Sequence, residues 1–213
     1  MNQFHPLANP EAGNHPLPDA PLEIEAALRA GQHSWEACPY YDLRYGERGR
    51  RFTRSDSGYL VALTQQDAFH VREQVAWLAR VLASRGMPTW LLERHLYALY
   101  SELCAAMPAQ RSRYEKLREA ADWLNQRRVA RIGESAGRAL AGGFHRHVAD
   151  DPWLARLREP GLLLIAAVAD ERNDLAEAVP SLLAWLADPQ RFQPSWIAAV
   201  EATLAAARPP GPP

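Results

Sequence analysis

Val71, Val75, Leu78 and Leu82 recur at the spacing of one helix face. Gly86 and Pro88 then interrupt, and Leu92, Leu96, Leu99 and Leu103 repeat the pattern as far as Pro108. Apolar residues three and four apart line one side of a helix, whereas a strand would need strict alternation. A glycine readily closes a helix, and a proline opens the next because its missing amide hydrogen has no role in the first turn. The two stripes therefore predict two antiparallel helices joined by a tight turn. Such a pair buries only half of its apolar surface by itself, so further helices must cover the rest.

The remaining chain supplies them. Glu23–Ala30 predicts a short helix ended by Gly31, and Thr64 with Gln65, Gln66 and Asp67 reads as the capping box of the first long helix. Leu117, Ala121, Leu124 and Ile132 point inward from a helical stretch over Arg111–Ala149. Asp151-Pro152, Pro160-Gly161, Pro180 and Pro194-Ser195 then mark the starts and stops of four more. No alternating run flanked by hairpin turns appears. The expected fold is all-α, a single bundle of six or seven helices over residues 35–207. Residues 1–34 form a flexible proline-rich arm carrying the short helix, and residues 208–213 form a disordered tail.

Composition bounds the function. Hydrophobic residues at 47% and charged residues at 23% describe a globular chain, and the net charge of −1 argues against broad attraction to nucleic acid or membrane. The apolar run Leu162–Ala169 is too short to cross a bilayer, and the amino terminus lacks the basic-then-apolar pattern of a secretory signal. Two cysteines, Cys38 and Cys104, build neither a disulfide framework nor a metal knuckle. A cytoplasmic protein without membrane insertion is the expectation.

Charge is nevertheless concentrated. Arg44, Arg48, Arg50, Arg51 and Arg54, with Glu47 the one acid among them, are interleaved with Tyr45 and Phe52 and with Gly46 and Gly49. Guanidinium groups bind carboxylates in a two-pronged fashion, and aromatic rings add stacking surface. These seven arginine and aromatic residues are the candidate partner- or anion-binding site. An internal occupant is the more economical expectation for the segment itself, because residues 150–190 carry eight acids against three arginines. No helix-turn-helix or other nucleic-acid module accompanies the segment.

Other chemistry is sparser. His95 shares the apolar face of its helix and, with Trp77, is the candidate site for haem or another tetrapyrrole in a helical sensor. Asp170, Glu171 and Asp174 form a second alternative, a magnesium site for phosphate processing. Their spacing, over five residues, resembles the magnesium-binding aspartate-rich helices of isoprenoid enzymes and the carboxylate helices of all-α nucleotide pyrophosphatases. A cation cage of that kind implies a further acidic helix, and Glu115 and Glu119 are interleaved with bases instead. Gly133, Gly137 and Ala141 form a smooth strip suited to close helix packing or to a groove. No nucleophile elbow or phosphate loop is legible. The expected function is a non-catalytic accessory or regulatory module that engages a protein partner, or a second copy of itself, through the arginine segment.

Overall fold

The computed structural model describes residues 5–208, and among them the protein is all-α, with no strand. Ten α-helices are present among the described residues: α1 (Pro21–Ala37), α2 (Tyr40–Leu63), α3 (Ala68–Ala83), α4 (Thr89–Ala106) and α5 (Arg111–Arg131) come first. They are followed by α6 (Glu134–His147), α7 (Pro152–Leu157), α8 (Pro160–Glu171), α9 (Ala178–Leu186) and α10 (Pro194–Ala207). Prolines open α1, α7, α8 and α10, where a missing amide hydrogen costs nothing. The expected disordered tail lies outside the described residues from residue 209 onward.

The count departs from six or seven for identifiable reasons. α2 was not legible as a helix because its buried face includes Ser55, Ser57 and Gly58 beside Leu60 and Val61, so the apolar period is diluted. The stretch expected as one helix from Arg111 divides at Gly133, whose extended backbone (φ −53°, ψ 144°) precedes α6. α1 runs through Gly31 instead of ending there. Thr64 does not cap α3: its hydroxyl donates to the Val61 carbonyl at 2.7 Å, and Asp67 receives the His70 amide at 2.8 Å instead. α8 stops at Glu171, and Asp174 then takes a left-handed φ of 68°.

The chain divides into two compact units. One holds the described residues up to Ala76 together with Glu93–Asp122; the other holds Trp77–Leu92 and the described residues from Trp123 onward. In the first, α1 packs along α2, and Glu23, buried on α1, accepts the Tyr114 hydroxyl at 2.7 Å and pairs with Arg113. Residues 5–20 lie along α2 as well. Leu7 is fully buried there, and burying a leucine side chain contributes roughly 1.5–3 kcal/mol.

In the second unit, α6, α8 and α10 pack together around an aromatic group. Phe192 stacks on Trp196 with centroids 4.9 Å apart, and Phe144 meets Trp196 edge-on at 5.0 Å. The glycine strip serves packing at two of its three positions, since Gly137 rests against Ile165 and Ala141 against Gly161. A Cβ on Gly161 would sit 2.8 Å from the Ala141 carbonyl oxygen and 2.9 Å from its Cα. Backbone cannot yield as a side chain does. Gly161→Ala is therefore expected to destabilise the protein by about 1–3 kcal/mol through overpacking, read as a lower urea midpoint with the slope unchanged.

Candidate functional site

Gly46, with φ 53° and ψ −149°, interrupts α2 and reorients the chain just before most of the arginines. Beyond that kink the helix is regular, so the arginines sort by helical spacing into two pairs. Arg50 and Arg54, four apart, share the slot described next. Arg48 and Arg51, three apart, face residues 9–12. The segment is thus surface of helix α2.

The first pair borders a slot of about 40 Å³ between α1 and α2. Gly31 and Trp35 are its buried walls, Thr53 is half-buried, and Gln32 and Arg54 stand exposed at its edge. The Arg50 guanidinium lies 4.4 Å from the centre of the Trp35 ring and reaches Asp42 at 2.9 Å. Trp35 is fixed in turn by its indole N–H, which donates to Thr53 Oγ1 at 3.0 Å, and by stacking on Tyr41. Arg54 makes no hydrogen bond or ion pair among the described residues. The slot has room for one carboxylate-sized group beside two guanidinium forks, while the Gln32 amide at its edge donates to Glu36 at 2.6 Å.

The second pair is already engaged. Glu11 bridges the two arginines, accepting from Arg48 Nε at 2.8 Å and from Arg51 at 2.7 Å. These two hydrogen bonds hold the Glu11 carboxyl below the usual carboxylate range. Arg48 also lies 5.3 Å from the Phe52 ring centre, and Arg44 lies 5.2 Å from that of Tyr45. The acids set against Arg48, Arg50 and Arg51 are therefore Glu11 and Asp42, from the N-terminal part of the chain, where the acidic stretch 150–190 is the internal occupant the sequence suggests. Glu11 could not be found by sequence reasoning, because a lone acid in a proline-rich segment gives no signal for a contact across 37 residues.

The two alternative sites are taken up by internal bonds. His95 is buried, and each ring nitrogen meets a serine: Nδ1 lies 2.8 Å from Ser34 Oγ, and Nε2 lies 3.0 Å from Ser57 Oγ. Burial lowers its pKa to about 4, so the ring is neutral at pH 7. Neither nitrogen is open to an iron. Trp77, half-exposed on α3, belongs to the other unit. Asp170 is buried and accepts from the Thr89 amide at 2.7 Å and from the Thr89 hydroxyl. It caps the start of α4. Glu171 receives Arg208 through two bonds of 2.7 and 2.9 Å. Among the described residues no group of three or more histidines, cysteines, aspartates and glutamates comes together to hold a metal. Nor is any helix among them long and apolar enough to cross a membrane.

What the geometry defines is an all-α chain with a cationic, aromatic-backed helix face. The chain matches no family model, no curated protein and no solved structure.

Proposed function

We propose that the protein is a non-catalytic helical binding module, cytoplasmic and accessory or regulatory in role, that engages an acidic segment of a protein partner through the arginine face of α2. One observation carries the reading: Arg54 stands exposed and unpaired beside Arg50 at a slot of carboxylate size. A guanidinium on an aromatic ring is held in place before a ligand arrives, so less side-chain freedom is lost on binding. Glu11 on Arg48 and Arg51 illustrates the carboxylate chemistry that this face accepts.

The test is recovery of a partner from lysate of the source organism with the wild type and with Arg50→Glu/Arg54→Glu. Reversing two charges at an exposed cationic site should lower recovery about tenfold, and recovery by the wild type should fall as salt rises. Helicity should not change, since Arg54 is exposed and Arg50 covers only the outer face of Trp35, whose indole stays fixed by Thr53. Equal recovery by both proteins removes the slot from the interface.

A further inference from the structure

Arg48, Arg51, Ser55, Gly58 and Tyr59 form one continuous stripe of α2, and residues of the N-terminal arm meet every one of them. Glu11 takes the two arginines. The His15 ring lies with Nε2 3.2 Å from the Ser55 carbonyl oxygen and meets Tyr59 edge-on at 5.4 Å. Leu7 and Leu17 close over Gly58, where an added Cβ would come within 2.7 Å of Leu17 and 3.0 Å of Leu7. The arm is thus held by charge at one end of the stripe and by a leucine slot at the other.

The manner of seating points to exchange. Apart from one 3-10 turn at Pro10–Ala12, residues 5–20 have no regular structure and hold to α2 through side chains. Pro10 opens that turn, Pro16 and Pro18 restrict the backbone further along, and the His5 ring lies 2.9 Å from the Pro18 carbonyl oxygen, so the arm is a closed loop whose shape is partly fixed before it docks. The ion pairs are open to water, with Arg48 69% and Glu11 41% exposed, and pairs of that kind are weak and screened by salt. Asn9 is 96% buried by its 4% exposure, yet its Nδ2 has no partner, a cost that undocking removes.

We propose that this stripe is a docking surface for a segment of the partner that bears a leucine and, four residues later within a 3-10 turn, an acid, as the arm does, and that the arm is its resident competitor. This deepens the reading of α2 as a partner-binding face and rests on it. The partner's acid takes the place of Glu11 between Arg48 and Arg51, and its leucine enters the slot over Gly58. While the arm is seated, its tether gives it a high effective concentration and keeps the stripe closed to weak ligands.

The experiment uses full-length protein and a fluorescein-labelled synthetic peptide with the sequence of residues 5–20. Leu7→Asp/Glu11→Lys in the protein releases the arm, and fluorescence anisotropy should then show peptide binding at least tenfold tighter than to the wild type. Adding Arg48→Glu/Arg51→Glu should remove that gain. A peptide carrying Glu11→Arg should restore it, which also shows that the protein is still folded. Binding that is no tighter after release, or indifferent to the two arginines, overturns the proposal. So does a dimer in sedimentation that the peptide dissolves, because a second copy would then be the natural occupant. Since Arg50 and Arg54 are untouched here, failure of this test and failure of the slot are distinguishable.

Discussion

Asp170→Ala is expected to lower the free energy of unfolding by about 3 kcal/mol. Its carboxylate is buried and accepts two bonds from Thr89, one from the backbone amide that begins α4 and one from the hydroxyl. Hydrogen bonds to a charged acceptor contribute roughly 1.5–3 kcal/mol each, and loss of a helix cap costs about 1 kcal/mol, with the two effects overlapping. Alanine leaves both Thr89 donors facing a void from which water is largely excluded. Asp170→Asn keeps one acceptor and should fall between the two. Urea unfolding followed by circular dichroism reads all three proteins, and an alanine variant within 0.5 kcal/mol of wild type, about the scatter of ordinary surface substitutions, would contradict the capping role.

The second large effect is acid sensitivity through His95. An unfolded histidine titrates near 6.5, and burial brings the folded one to about 4. Between those values the unfolded chain holds a proton that the native chain lacks, so stability falls as pH falls through that window. The contribution is fully present above pH 6.5 and lost below about 4, and its size is about 3 kcal/mol at 1.36 kcal/mol for each unit of the gap. His95→Gln keeps a donor and an acceptor between Ser34 and Ser57 but cannot titrate. Its stability should therefore vary less with pH between 7 and 4 than that of wild type. Parallel curves for the two proteins would mean that the imidazole is not neutral and buried as described.

These two sites show where the sequence was readable. Long helices with aliphatic stripes were legible, because Val71, Val75, Leu92, Leu96, Leu99 and Leu103 are all buried and announce the period they follow. The inward position of His95 followed from those neighbours. Its serines did not, since Ser34 and Ser57 lie 61 and 38 residues away and serine is common on every kind of surface. Asp170 was visible as part of an acidic turn, but its burial depends on Thr89, 81 residues distant. α2 escaped notice for the opposite reason. Its inner face is lined with small residues that let helix and arm approach closely, and small residues carry little hydrophobic signal. The arginines were legible as a cluster, while the slot between Arg50 and Arg54 needs α1 alongside α2, a pairing that no local pattern encodes.

The side-chain Nε–H resonances of arginine in 15N-labelled full-length protein test the central claim most directly, during titration with a glutamate-rich peptide. The account predicts that Arg50 and Arg54 shift progressively and saturate, while Arg127 and Arg131 stay in place. Saturation without movement of Arg50 and Arg54, or a uniform drift of all arginines that vanishes at physiological salt, would contradict it.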